Sequence, residues 1–167
     1  MKVTVERAQL LKSLSHVHRV VERRNTIPIL GNVLIRTDKS RLSLKATDLD
    51  LEVTETLAAE TGTGGSTTVP AHMFYDIVRK LPDGAMVELN DDGLSGRLEV
   101  RAGRSHFSLA TLPREDFPIM ASAEYQCNFA CPAPVLRRLF DKAKFAISTE
   151  ETQIGRASCR ERVSSPV

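Results

Sequence analysis

Tryptophan is absent from this chain of 167 residues, aromatics make up only 5% of it, and cysteine occurs three times. Each shortage excludes something. Cys127, Cys131 and Cys159 come too late and are too few to build a disulfide framework, so a reducing, cytoplasmic setting is expected. No apolar run approaches the roughly 18–20 residues that cross a bilayer, so no membrane partner is expected. Glu6 and Arg7 follow Met1 too closely for the basic-then-apolar layout of a signal peptide. The glycines of segment 62–65 lack the Lys-Ser/Thr that completes a phosphate loop, and no nucleotide site follows from them. Cys127 and Cys131 have a weak metal-ligand spacing but no second ligand pair, so packing cysteines are the simpler reading. His16 and His18 lie two apart on a helical pattern and do not share a face. Asp48 and Asp50 fall in a turn, where aspartate serves for its local hydrogen bonds rather than for magnesium. Nothing here calls for a cofactor, a metal or a catalytic residue.

Charge of one sign is also lacking, since the formal net charge is only +2. Segment 154–167 accounts for that excess through Arg156, Arg160 and Arg162 against Glu161, and the rest of the chain is neutral. Any affinity for a polyanion must therefore come from local clustering. The segment has no hydrophobic period and resembles one reading frame of a sequencing adapter. It is expected to be a non-native tail and is excluded from fold reasoning.

What the chain does have is an internal repeat. Residues 2–5 alternate as a strand, and residues 6–21 set Leu10, Leu11, Leu14, Val17 and Val21 at helical spacing. Pro28 rules out continuation of that helix. Three alternating runs follow at 33–37, 42–46 and 51–57, with turns at 38–40 and 48–50. After a Gly/Ser/Thr-rich link at 61–66 the order begins again. A strand at 67–69 leads into a helix over 71–81 with Phe74, Ile77, Val78 and Leu81 inward, and strands follow at 86–89, 98–101 and 106–111. A third start comes at 128–131, followed by a helix over 134–146 with Leu136, Leu139, Phe140 and Ala143 inward. Val5, Val69 and Cys131 take equivalent places, 64 and 62 residues apart. The pattern predicts an α+β domain of two pseudo-symmetric strand–helix–three-strand units, because a lone unit would leave its apolar faces bare. Each unit is expected to contribute one helix and one short antiparallel sheet.

Several short stretches then resemble a known family. They are Met1-Lys2-Val3-Thr4-Val5-Glu6-Arg7, Thr26-Ile27-Pro28-Ile29-Leu30-Gly31-Asn32, Thr47-Asp48-Leu49, Val69-Pro70-Ala71 and Gly103-Arg104-Ser105. The run Phe107-Ser108-Leu109-Ala110-Thr111-Leu112-Pro113, ending at Asp116-Phe117-Pro118, is the most telling. In order and in register they resemble the DNA polymerase III beta subunit, the bacterial sliding clamp, over residues 1–152. The resemblance implies a DNA-clamp fold, with residues 1–120 as a first domain, 121–153 as the start of a second and 154–167 as the tail. It implies three such domains per chain and two chains closed head to tail around duplex DNA, helices lining the hole and sheets outside. It implies a processivity factor that makes and breaks no bond. Replicative polymerase and clamp loader would be met through parts of the second and third domains that this chain does not contain, so no pocket residues are named.

The resemblance also assigns residues. Arg24 matches a DNA-contacting position, and Arg79, Lys80, Arg137, Arg138 and Lys142 join it as candidate phosphate-facing cations, with Lys12, Arg19, Arg23 and Lys144 on similar polar faces. The plain reading of such cations is solvated helix surface, favoured near helix C-termini by the macrodipole. Where relatives often carry a basic pair, this chain has His72 and Met73, which weakens one contact. Phe107 and Leu109 match apolar subunit-interface positions, with Arg97, Arg104 and His106 as charged partners. From alternation alone, filling the domain's own core is the safer reading for Phe107 and Leu109, although an edge strand bearing apolar side chains favours a partner chain. Two rival functions remain, a small hydrolase on the same units and an interaction module that never meets DNA. The first needs a nucleophile beside a base, and the second predicts cations scattered around the surface.

Overall fold

Val3 and Val5 alternate with Lys2, Thr4 and Glu6 to make a strand, β1 (Lys2–Glu6), and both valines are buried. The computed structural model describes residues 1–22, 26–120 and 130–146. It divides into two compact units, Met1–Ala121 and Ser122–Val167. β1 passes without a linker into α1 (Arg7–Val17), which buries Leu10, Ser13, Leu14 and Val17. The helix stops short of the expected residue 21. The amides of Val20 and Val21 reach back to the carbonyls of Val17 and His18, both at 3.3 Å, a tighter i→i+3 turn. The His18 ring nitrogen Nδ1 meets the Leu14 carbonyl at 2.8 Å. Val21 is still buried, so its apolar period was real although the helix ends before it.

A 3-10 turn over Pro28–Gly31 opens the run β2 (Asn32–Asp38), β3 (Arg41–Thr47), β4 (Glu52–Ala58), β5 (Glu60–Thr63) and β6 (Gly65–Pro70). β6 again passes directly into a helix, α2 (Ala71–Lys80), followed by β7 (Met86–Asp91), β8 (Arg97–Ala102) and β9 (Ser105–Ala110). The expected link at 61–66 is thus a strand and the start of another. β5 pairs antiparallel with β1, Val3 opposite Thr61 and Thr4 opposite Glu60. The threonines there are good strand formers. Gly65 is small because the chain needs it so, since a Cβ at that position would lie 2.9 Å from the Met1 side chain.

The two repeats of the first unit do not keep one sheet each. One sheet has the order β5-β1-β7-β8-β9 and the other β4-β3-β2-β6. The opening strand of the first repeat therefore pairs with the strands of the second repeat, Val5 opposite Val87 and Val3 opposite Leu89. Conversely β6 pairs with β2, Val69 opposite Val33 and Thr67 opposite Ile35. The expectation of a separate sheet for each half is corrected. Alternation could place the strands but could not say which partner each would take.

One core joins both sheets and both helices. Leu10, Leu14, Val17, Phe74 and Val78 of α1 and α2 pack with Val3, Val5, Leu89, Leu98 and Val100 of one sheet and Val33, Ile35, Leu42, Leu44 and Val69 of the other. Ile77, expected inward, is only half-buried. After β9 the chain folds back across the other sheet. The Leu112 amide and carbonyl both bond Thr68 Oγ1, at 3.1 and 2.8 Å, and Phe117 is buried with Ile29 and Leu30.

In the second unit, α3 (Ala133–Ala143) runs on into a 3-10 turn, Lys144–Ala146. Positions 128–129 of the strand expected before it lie outside the described residues, and Ala130 to Pro132 form no strand. Leu136, Leu139 and Phe140, expected inward, are exposed at 39%, 57% and 66%, and Ala143 is exposed too. The stripe has the right helical period, but among the described residues nothing covers it.

Two outcomes test this packing. Phe74, fully buried on α2 in the core that both sheets share, is the side chain whose loss both sheets should feel. Phe74→Ala is expected to lower the unfolding free energy by about 3–5 kcal/mol in denaturant titration, with one transition rather than two. In the β7–β8 turn, the Asp92 carboxylate accepts the Leu94 and Ser95 amides at 3.0 and 2.9 Å and the Ser95 hydroxyl at 2.8 Å. The Ser95 amide is the main cause that holds the exposed Asp92 carboxyl down at about 2. A carboxyl depressed by folding stabilises above its unfolded value and loses that contribution as pH falls through the folded one. Asp92→Ala should therefore lower Tm at pH 7, with the difference from the parent closing between about pH 4 and pH 2.

Candidate nucleic-acid interface

α1 and α2 lie beside one another over the core, and their outward faces carry the cations. On α2 the helical period turns Phe74 and Val78 inward and leaves Met73, Asp76, Arg79 and Lys80 outward. On α1 the exposed cation is Lys12, and Arg19 follows just beyond the helix end. Arg79 pairs with Asp76 at 3.3 Å, one turn back. Lys80 makes no ion pair with a described residue. Both cations sit in the last turn of α2, where the helix dipole alone would favour them.

That last turn is fixed from the other helix. Arg7, at the start of α1, donates through Nε to the Val78 carbonyl at 3.2 Å and through a terminal nitrogen to the Arg79 carbonyl at 2.8 Å. Its other terminal nitrogen pairs with Asp83. The guanidinium satisfies carbonyls that a helix C-terminus leaves without partners. His72, on the first turn of α2, directs Nε2 to the Val21 carbonyl at 2.9 Å. Its ring meets His18 edge-on at 5.7 Å, and His18 stacks flat on Tyr75 at 4.0 Å.

Arg24 lies outside the described residues, as does Arg23. Arg137, Arg138 and Lys142 are all exposed on α3, in the second unit. Arg137 approaches Asp141 at 3.8 Å, an exposed i,i+4 pair of little energetic weight.

β9 is an edge strand, paired only to β8 among the described residues. Gly103, at φ +55°, takes the left-handed conformation that turns β8 into β9 and sets Arg104 at the exposed tip. Arg97, Arg104 and His106 are exposed. Arg97 reaches the Ser108 hydroxyl at 3.4 Å, and His106 lies 3.7 Å from Glu99, which Arg101 holds at 2.8 Å. Phe107 is 37% exposed, but Leu109 is 2% exposed and belongs to the core. Leu109, offered as an interface position, thus fills this unit's own core, the alternative that alternation favoured. It sits opposite Leu98, while Phe107 lies opposite Val100 on the same strand pair.

Asp48 acts as a turn residue, its carboxylate accepting the amides of Asp50 and Leu51 at 3.0 and 2.6 Å. Among the described residues no group of three or more His, Cys, Asp or Glu side chains is placed to hold a metal. A polar cleft of about 650 Å3 is lined in part by Met1, Gly65, Asp92, Arg114 and Glu115. Arg114 bonds Ser66 there, and its hydrogen bond to Glu115 lowers that carboxyl. No described helix is long and apolar enough to cross a membrane.

Residues 1–121 match the family profile described as DNA polymerase III beta subunit, N-terminal domain. The chain belongs to that family. Among curated relatives, the beta sliding clamp of Caulobacter vibrioides is 54% identical over 153 residues, which is 92% of this chain and 41% of that one. The beta sliding clamp of Escherichia coli K12 is 40% identical over 154 residues, 92% of this chain and 42% of that one. Among solved structures, the Caulobacter crescentus pol III beta matches at TM-score 0.86 with 54% identity, covering 92% of this chain and 41% of the other. A Bartonella birtlesii sliding clamp solved bound to griselimycin matches at TM-score 0.86 with 50% identity and the same shares covered. The chain thus spans about two fifths of the length of these relatives.

Sequence reading overlooked the contributions of Arg7, His18 and Tyr75. The i,i+4 spacing of Tyr75 and Arg79 was available as a signal. The reach of Arg7 across 71 residues to the Val78 carbonyl was not. The contrast along β9 gives a test. Leu109→Ala is expected to cost about 2–5 kcal/mol in stability, whereas Phe107→Ser should stay within about 1 kcal/mol of the parent in the same denaturant titration.

Proposed function

We propose that this chain is part of a sliding clamp, a non-catalytic processivity factor of the bacterial replicative DNA polymerase that acts in the cytoplasm. The observation that carries the proposal is the helix layer, in which α1 and α2 cover one core side by side and turn Lys12, Arg79 and Lys80 outward. The names of the relatives, beta sliding clamp, support it. Cations that reach phosphates at a distance, with no side chains set to read base edges, give affinity without sequence preference, as sliding requires. On this reading the whole protein encircles duplex DNA as a head-to-tail dimer. The β9 edge, with Phe107, Arg97, Arg104 and His106, meets a second copy, and Leu109 supports that strand from beneath. Arg24, Arg137, Arg138 and Lys142 would add to the phosphate-facing set. Polymerase and clamp loader would bind through the length of the relatives that this chain does not span. We also propose domain limits at 1–120 and 121–153, with 154–167 as a non-native tail.

The test is topological. The full-length gene product, loaded on closed circular duplex and washed at high salt, should stay bound, and cutting the circle once should release it. Retention that survives linearisation, or that follows one base sequence, would overturn the proposal and favour ordinary DNA binding or an interaction module. Within that protein, Lys80→Ala should weaken duplex binding equally for unrelated sequences and reduce the slope of log K against log salt by about 1.

A further inference from the structure

We propose that Tyr75, backed by His18, is a positioning residue that holds the Arg79 guanidinium ready for a phosphate. The proposal rests on the helix layer being the DNA-facing surface. Arg79 has two neighbours of opposite character. The Asp76 carboxylate lies 3.3 Å from one of its terminal nitrogens, while the Tyr75 ring centroid lies 5.8 Å from its guanidinium carbon. A carboxylate occupies an N–H donor and competes directly with phosphate. A ring attracts the cation through its quadrupole and leaves donors free. When phosphate displaces Asp76, the contact with Tyr75 persists and keeps the long side chain from losing all its rotamer freedom at the moment of binding.

The ring itself is held. His18 stacks on it at 4.0 Å with the planes 7° apart, and His18 is anchored by Nδ1 on the Leu14 carbonyl at 2.8 Å. His72 closes the cluster edge-on to His18, anchored on the Val21 carbonyl at 2.9 Å. The main chain beneath Arg79 is fixed as well, because Arg7 bonds the carbonyls of both Val78 and Arg79. The path from α1 to the cation thus runs through ring contacts and backbone anchors, with Tyr75 only half-buried and Arg79 57% exposed.

The experiment measures duplex affinity and its salt slope for the full-length gene product and its variants. Tyr75→Leu should weaken binding about two- to fivefold, Tyr75→Phe should restore it, and in an Arg79→Ala background Tyr75→Leu should add nothing. Asp76→Asn, an exposed change that should leave folding intact, should tighten binding by removing the competitor. If Arg79→Ala leaves affinity and salt slope unchanged, the placement of DNA at this turn of α2 fails, and the proposal with it. If Arg79→Ala weakens binding but Tyr75→Leu weakens it equally with or without Arg79, the helix layer stands and the positioning role is overturned. An Asp76→Asn protein that binds more weakly also overturns it.

Discussion

β1 pairs with β7 across five residues, and β6 pairs with β2 across six, so each half of the first unit lends its opening strand to the sheet of the other. The two halves cannot part without breaking main-chain ladders in both sheets. The exchange also decides where the helices go. Glu6 is the last residue of β1 and Arg7 the first of α1, and Pro70 and Ala71 repeat that junction for α2. With no connecting residues to absorb a change of direction, the strand registers set the helices side by side over one core. Arg7, at the first of those junctions, then reaches the last turn of α2 and ties the layer together.

The helix layer owes little to bulk charge. The net charge is +2, and the proposed affinity for duplex DNA comes from which faces the fold turns outward. Arg79 is partly neutralised by Asp76, whereas Lys80 makes no ion pair with a described residue. Two exposed cations in one helix turn would mean little by themselves. What gives them weight is a rigid support of Arg7, Tyr75 and His18, which ordinary solvated surface does not need.

Local pattern carried much of the fold. The order of strands and helices apart from β5, the inward set Leu10, Leu14, Phe74 and Val78, and the turn role of Asp48 were legible from period and turn chemistry. The failures share a cause, which is dependence on residues far along the chain. β5 looked like a linker because its composition is that of a loop, and only the free edge of β1 makes it a strand. Phe107 and Leu109 alternate identically in sequence, yet the core encloses one and leaves the other 37% exposed. The α3 stripe was read correctly as apolar, but no described residue covers it. Of the site, cations could be listed from sequence, while their anchoring by ring stacking and backbone carbonyls required the tertiary contacts.

The central claim is that the helix layer, and not the sheet surface, faces duplex DNA. Lysine acetylation of the full-length gene product, read by mass spectrometry with and without duplex, tests it directly. Lys12 on α1 and Lys80 on α2 are exposed on the helix layer, and Lys39 is exposed at the β2–β3 turn. DNA is expected to protect Lys12 and Lys80 and to leave Lys39 as reactive as before. Protection of Lys39 with Lys12 and Lys80 unchanged would place the nucleic acid at the β2–β3 turn rather than on the helix layer and contradict that claim.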